Sequence, residues 1–576
     1  MSVSSPTGDS PTGDSPTGDS PTGAAGRPPT SSPLQGALVR LWRRDLARYP
    51  DSARRYAYLA IVVATTVVLY YLLYVQYAVA TSIMAHYGMT FAFFISISVV
   101  GNAVGAFASL VAGLADRWGR ANMVVYGLLL AGVVVLVLPH SPNKATYLAL
   151  FTALSFVEGI VLVATPALIR DFSPQLGRAT AMGYWTMGPV VGSLVVTTVT
   201  SHTLGSSTWQ DELTYAGITA LAVFVVALFG LRELSPRLRD QIMVSLRDRA
   251  LVEARARGID PEHALKGHWR QMLRPDIVGS AFAVSVYLLL YYAAVGNFVI
   301  YFSATFGYSE QRTNGLANWY WAANAIALVV TGLVSDALKV RKPLMLFGAL
   351  ASIAVTATFA MLATHPHTGY YTFAWLFVGI GVFGGLTYAP WMAAFTETVE
   401  KHNPAATATG LAVWGWLLRL VVAASAACIP AVVTSVTPLV DHSAEVKAAQ
   451  AQAAPALAVM RAHPELFAEL AKYPPGSVPP AVRTRALQEV GAGGLATVQK
   501  AQPQLATLKK HGPAVQKAAA DGPKQWRTWW WVCVAGQAVF LPFVFIVTGR
   551  WSPRRAREDA EAHDKALTAE LSALET

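Results

Sequence analysis

Gly113-Leu-Ala-Asp-Arg-Trp-Gly-Arg120 is the stretch on which the reading of this chain turns. It is a short charged turn between two long apolar runs, one ending near Gly113 and the next starting near Asn122. Far downstream Asp336 occupies the same kind of turn, in Gly332-Leu-Val-Ser-Asp-Ala-Leu-Lys-Val-Arg-Lys342. A charged turn bounded by apolar runs, met twice, points to a polytopic membrane protein built from two related halves. Chains with that layout mostly move solutes.

Composition agrees. Of 576 residues, 54% are hydrophobic and only 13% charged, against about 25% charged in a soluble domain. The net charge is +11, but the basic residues sit at the ends of apolar runs rather than in one patch. That is a topology signal, and no nucleic-acid partner is expected. The two cysteines, Cys428 and Cys533, both lie inside apolar runs, so neither a disulfide framework nor a zinc site is expected from them. The opening segment is polar, without the pattern of a cleavable signal peptide, so the first span is expected to serve as the insertion signal.

A membrane-spanning helix needs about 20 mostly apolar residues. Twelve such runs are present, near 56–80, 89–113, 122–139, 146–169, 179–200 and 213–231, then near 277–303, 314–334, 343–363, 370–395, 406–434 and 527–548. Helix is the only sensible state for them, because lipid cannot satisfy open backbone groups. The expected organisation has residues 1–35, opening on Ser-Pro-Thr-Gly-Asp repeats, as a disordered tail. Residues 36–55 form a basic juxtamembrane helix and 56–231 a first six-helix bundle. A cytoplasmic central loop, helical and amphipathic, covers 232–276. A second six-helix bundle covers 277–548 and carries an insert at 436–525, and a charged helical tail follows at 549–576. In the insert, Glu445–His463 and Pro464–Tyr473 read as short helices. Trp526, Trp529, Trp530 and Trp531 read as an interfacial belt.

Loop charges set the expected orientation. Arg117, Arg120, Arg170, Arg178, the stretch from Arg232 to Arg274, Lys339, Arg341, Lys342, Lys401, Arg550 and Arg554 fall on one side. The short loops of the other side hold only Lys144 and Arg312. The asymmetry places both termini in the cytoplasm and the insert outside.

The first turn resembles the signature loop of the major facilitator superfamily, Gly-x-Leu-Ala-Asp-Arg-x-Gly-Arg-Lys between spans two and three. Leu114, Ala115, Asp116, Arg117, Gly119 and Arg120 match, while Ala112 and Ala121 depart from it. In the second copy Gly332, Asp336 and Arg341 remain. The resemblance implies an all-α membrane fold of two pseudo-symmetric bundles with a site at their interface. It also implies that Asp116 lies near the N-terminal end of span eleven, whose dipole attracts a carboxylate, and that Arg120 pairs with Asp171. In the second half it places Asp336 near span five and pairs Arg341 or Lys342 with Glu397 or Glu400. These contacts would hold the cytoplasmic side shut; the plainer reading leaves the basic members as topology signals alone. Span five carries Gly188-Pro189-Val-Val-Gly192-Ser193, similar to the Gly-Pro motif of the superfamily's antiporters, though helix packing explains the same residues.

Charges inside the bilayer are costly and usually face a cavity. Glu158 falls near the centre of span four and Arg419 near the middle of span eleven. A low-dielectric site favours a neutral carboxyl, which suits a proton carrier. Arg419 offers five donors to a carboxylate or phosphate. Both could instead be static helix–helix contacts. Tyr70, Tyr74 and Tyr77 share one face of span one. Trp319, Tyr320, Trp321, Trp391, Trp414 and Trp416 crowd the second half, with Asn297, Asn318 and Asn324. The expected substrate site takes Arg419, Tyr70, Tyr74, Asn297, Asn318, Trp321 and Trp416, with Glu158 for the proton. His86, His140, His365 and His367 read as solvated surface.

The expected activity is proton-coupled secondary transport of a small organic solute across a bacterial cytoplasmic membrane by a monomer, with uptake of a carboxylate favoured and drug or metabolite efflux the alternative. A transporter-like sensor and a membrane enzyme are the rivals. The enzyme lacks a His, Asp or Cys cluster on facing spans, and no nucleotide-binding loop is present. No cofactor and no metal are expected; the partners are substrate, protons and membrane lipid.

Overall fold

The apolar runs become helices, and short polar signals fix the start of three of them. In the computed structural model, which describes residues 42–110, 119–172, 186–235, 238, 268–403, 407–474 and 477–575, Asp51 starts span one by accepting a bond from the Arg54 amide at 2.9 Å. Thr208 and Asp211 start span six with a reciprocal capping box. Ser309 caps span eight.

Span one is Ser52–Ala78, span two Phe91–Leu110, span three Arg120–Val137 and span four Lys144–Phe172. Spans five and six are Gly188–Thr203 and Trp209–Gly230. Span seven is broken at Leu288 into Pro275–Tyr287 and Leu289–Phe306. Spans eight to eleven are Glu310–Leu338, Lys342–Leu362, Tyr370–His402 and Thr407–Val432. Among the described residues eleven helices are long and apolar enough to cross a membrane. The remaining expected run, 179–200, is represented by the 16 residues of Gly188–Thr203, and its start lies outside the described residues, as do the tail 1–35 and residues 236–237 and 239–267 of the central loop.

The two halves repeat one packing scheme. In the first half span one packs on five and six, four on two and three, and three on six; in the second, seven packs on eleven and twelve, ten on eight and nine, and nine on twelve. Adding six to each number converts one set into the other. The halves then meet through spans two and eleven, five and eight, and one and seven, which the same operation exchanges. The chain is a multi-pass, all-α membrane protein of two related six-helix bundles.

Three expectations change. The basic helix over 36–55 is not formed in its described part. Asp45–Leu46 (β1) pairs parallel with Glu233–Leu234 (β2) instead, and helix begins at Ser52. Pro50 disfavours helix at Tyr49, and the buried Arg44 reaches into the end of span six. There it donates to Leu228 O at 2.5 Å and Leu231 O at 3.3 Å, and to Asn122 Oδ1 at 3.0 Å. The tryptophan belt is mostly core: Trp526, Trp529 and Trp530 are buried and only Trp531 is exposed. Spacings of three and four put the first three on one helix face, where Trp526 and Trp530 each lie 5.0 Å from the Tyr301 ring.

The third change concerns the insert. Its last part is not separate from span twelve but belongs to one helix, Gln502–Ile546, of 45 residues. At 1.5 Å per residue this is about 68 Å long, against a hydrocarbon core of about 30 Å, so roughly half of it stands clear of lipid. Val436–Gln452 runs antiparallel to that projecting part. Ser435 N donates to Gln525 Oε1 at 2.8 Å at one end of the pair, and Gln504 Nε2 to Gln452 Oε1 at 3.1 Å at the other. The short helices Ala454–Ala462, Pro464–Leu470, Pro480–Glu489 and Gly491–Lys500 complete the insert. Ala453, Ala456, Val498 and Ala501 form a small core of its own.

Candidate functional site

Spans two and four approach closely because small residues face each other. A Cβ on Gly159 would meet Gly105 O and the Ala108 methyl, and one on Gly101 would meet Ser155 Oγ and the Phe151 ring. This contact sinks Glu158, the neighbour of Gly159, to 5% exposure, and its Oε1 has no hydrogen-bond partner. From the other bundle, Arg419 of span eleven donates through Nη1 to Gly105 O at 3.4 Å. Glu158 and Arg419 are within electrostatic reach of each other, and Tyr70 is within reach of both. One acid, one cation and one phenol, contributed by spans four, eleven and one, therefore meet where the bundles face.

Tyrosines line the space around them. Tyr70 and Tyr74 lie 5.4 Å apart between ring centroids, and Tyr74 and Tyr77 6.5 Å apart. Tyr291, Tyr292, Tyr320 and Tyr388 of the second bundle complete the group, each near Tyr70 or Tyr74 or one another. Tyr291, Tyr292 and Tyr388 were missed by sequence reasoning. Their signals were the break at Leu288, just before the tyrosine pair, and Pro390 inside span ten. Trp321 meets Tyr291 edge-on at 5.2 Å. With Tyr74, Tyr77, Asn314 and Thr197 it lines a cavity of about 20 Å³ between the bundles, room for little more than one water.

The expected asparagines and tryptophans separate. Asn297 is buried, with Oδ1 unpartnered. Asn318 is occupied across the interface, donating to Ser201 Oγ at 2.9 Å and accepting from Thr198 at 3.2 Å. Trp416 is 47% exposed and shares an open face of span eleven with Leu420, apart from the tyrosine cluster.

At the end of the bundles that carries the two charged turns, Arg120 donates through Nη1 to both carboxylate oxygens of Asp171, at 2.8 and 2.9 Å. The Arg120 amide donates to Glu233 Oε2 at 2.7 Å. Gly119 has φ +91, and a Cβ there would strike the Glu233 carboxylate, so backbone conformation and neighbour both select glycine. In the second half Arg341 joins Asp336 at 2.7 Å to Glu397 at 3.2 Å, while Lys342 donates to Phe545 O at 2.9 Å. Each of these clusters closes within its own bundle. Asp116 and Arg117 lie outside the described residues. Glu233 had no sequence signal beyond being an acid beside a basic stretch.

At the opposite end, which carries the insert, hydrogen bonds cross between the bundles. Glu310, first residue of span eight, accepts from Thr81 Oγ1 at 2.6 Å, Ser82 N at 2.9 Å and Ser82 Oγ at 2.6 Å. Asn314 Nδ2 donates to Ala78 O at 2.8 Å and Gln311 Nε2 to Ser201 O at 3.2 Å. Asp441, in the insert, accepts from the Phe91 amide at 2.8 Å at the start of span two. Sequence reasoning missed this closure, because Glu310 reads only as a helix-starting acid.

The sequence profile of the Major Facilitator Superfamily matches residues 59–451. Two relatives are similar over part of the chain. The efflux pump radE of Floropilus chiversii is 23% identical over 43% of this chain and 47% of its own length. Sugar phosphate exchanger 3 of Bos taurus is 22% identical over 44% of this chain and 55% of its own. The chain thus spans about half the length of the relatives it matches. A solved bacterial homologue of the human lysosomal transporter Spinster, inward-facing and occupied, superposes with TM-score 0.52 at 14% identity, over 86% of this chain and 97% of that one. The proton:xylose symporter XylE bound to 6-bromo-6-deoxy-D-glucose gives TM-score 0.50 at 15% identity, over 66% and 89%.

Proposed function

The chain belongs to the Major Facilitator Superfamily, and from that premise we propose that it is a proton-coupled secondary transporter of a small organic anion. The substrate binds between the bundles, its carboxylate or phosphate held by Arg419, with Tyr70 and Tyr74 as hydrogen-bonding and stacking surface. Glu158 exchanges a proton as the bundles rock. The single observation that carries this reading is the convergence of Glu158, Arg419 and Tyr70 from three spans of two bundles. A buried carboxylate whose Oε1 has no partner is costly as a static element, and intramembrane ionisable groups ordinarily serve a transport path. The sugar phosphate exchanger among the relatives favours an anionic substrate.

The positive-inside asymmetry puts the charged turns in the cytoplasm and the insert outside. On that orientation the Glu310 clasp closes the outer side, so the path to Arg419 runs from the cytoplasm. The Arg120–Asp171 and Arg341–Asp336–Glu397 clusters keep each bundle rigid at its inner rim while the bundles move. Uptake in symport with protons is the favoured direction. Efflux is the second reading, favoured by the relative described as an efflux pump. The Gly-Pro run supports it less: Gly188 and Gly192 lie against Thr66 and Tyr70 of span one, which is the close helix packing that small residues give anywhere.

Reconstitution into proteoliposomes tests the proposal. Organic acids are screened for counterflow and for accumulation driven by an inside-alkaline gradient. The expected result is saturable anion flux lost in Arg419→Ala. Flux of the best anion that is unaltered by Arg419→Ala would sink the anion-site reading, and accumulation only in inverted vesicles would select efflux.

A further inference from the structure

The insert, rather than the space between the bundles, carries a second constellation. His442 and Glu445 stand three residues apart on Val436–Gln452, hence on one helix face. His511 faces them from the projecting part of Gln502–Ile546. The bonds at Ser435–Gln525 and Gln452–Gln504 hold this antiparallel pair at both ends, and between them His442 meets His511. Their rings lie 3.9 Å apart between centroids, and Glu445 Oε2 is 3.9 Å from His442 Nδ1. One ligand atom from each of the three residues lies within 4.8 Å of the other two.

We propose that His442, Glu445 and His511 form a binding site for a divalent transition-metal ion of zinc type. Two imidazoles and one carboxylate are the donor set such ions take, leaving a fourth position for water. A tetrahedron with bonds of about 2.1 Å has edges of roughly 3.4 Å, so ångström-scale side-chain rotations close the set around an ion. His442 and His511 are half-buried and Glu445 exposed, so an ion has access from solvent. The two imidazoles, on two helices, pack at an interplanar tilt of 30°, and an ion bound by a ring nitrogen of each would give both a partner. The site staples the extension of span eleven to the extension of span twelve, one residue from Asp441, whose carboxylate caps span two in the other bundle. A bound ion therefore stiffens the outer closure, a role independent of what the transporter carries.

The test uses the full-length protein, tag-free and in detergent, titrated with Zn²⁺ by calorimetry and with Co²⁺ by visible absorption, with melting followed in parallel. The expected result is one ion per chain, a Co²⁺ spectrum of low-coordinate type and a higher Tm with Zn²⁺. His442→Ala and His511→Ala should each weaken binding at least about 100-fold, since even outer-shell partners are worth roughly 10–100-fold, and should abolish the Tm rise. His463→Ala, elsewhere in the insert, should bind as the parent does. Absence of stoichiometric binding, or equal affinity in parent, His442→Ala and His511→Ala, would overturn the site, as would equal loss in His463→Ala.

Discussion

At the scale of single residues, Glu158 and Arg419 illustrate how position changes the meaning of a charge. On the surface each would be unremarked; inside a membrane bundle an ionised group costs at least about 3 kcal/mol, and the chain retains both. The sequence singled them out by depth alone, from their distance to the ends of apolar runs. It could not show that span two's Gly105 carbonyl receives Arg419, or that Tyr70 sits beside both. Two expectations belong here. Glu158→Gln should keep substrate exchange while losing accumulation driven by a proton gradient, because the amide mimics the neutral acid but releases no proton; gradient-driven accumulation that survives the change would exclude Glu158 as the carrier. Arg419→Lys should retain a fraction of flux with raised KM, since a single ammonium cannot reproduce a two-pronged grip, whereas Arg419→Ala should retain none. Arg120 and Asp171 were legible as a pair because the signature turn fixes one and a short acid–base step at the end of span four offers the other. Glu310 was not, since an acid at a helix start is ordinary until its three donors from the other bundle are seen.

At the scale of elements, spacing was readable and partnership was not. The run Gly101, Gly105 and the lone Gly159 carry no periodic signal strong enough to name a contact, yet they decide how closely spans two and four approach and thus where Glu158 lies. Gly159→Leu should lower stability by about 2 kcal/mol, the usual cost of overpacking, and should cut flux more than stability requires by displacing Glu158. A melt combined with a flux assay checks this; unchanged flux in a destabilised protein would separate the packing from the site. The insert was visible as polar sequence with short helices, but the continuity of Gln502–Ile546 through three internal prolines at 513, 523 and 542 ran against the usual cost of proline in a helix. Packing against Val436–Gln452 along the projecting part supplies the contacts that offset it. The small core of residues 453–501 packs on the tip of this pair, against Leu505 and Leu508, while the pair is held by its own bonds, Gln452 to Gln504 and Ser435 to Gln525. Replacing 454–501 by a short Gly-Ser linker should therefore leave folding and flux intact. Loss of flux in a well-folded deletion would make that part of the insert a working lid.

At the scale of the whole molecule, closure at the insert end is the feature on which the proposed alternating access turns. Charge-assisted hydrogen bonds contribute about 1.5–3 kcal/mol each, and three converge on Glu310, partly offset by water when the clasp opens. Glu310→Ala should shift the balance toward opening at that end by about 2 kcal/mol, roughly 30-fold in population. The readout is the labelling rate of a cysteine placed at Thr197, buried on the wall of the cavity between the bundles, in a Cys428→Ser background. An unchanged rate would mean that Glu310 is not the clasp. Conversely, a disulfide between cysteines at Thr198 and Asn318, bonded at 3.2 Å in the structure, should arrest flux reversibly, with reductant restoring it.

What the sequence by itself determined was the membrane character, the helical runs, their division into two halves and the residues too polar for the depth at which they lie. These follow from local chemistry: lipid admits only helices satisfied within themselves, and charge at mid-depth is detectable from distance along a run. What only the tertiary structure decided was which faces meet. Arg44 becomes a buried helix cap instead of a surface charge, three tryptophans become core instead of an interfacial belt, and His442 stands opposite His511. Pairings between residues far apart in the chain are selected by steric fit and by the register of helices against one another, and neither is encoded in any stretch short enough to be read alone.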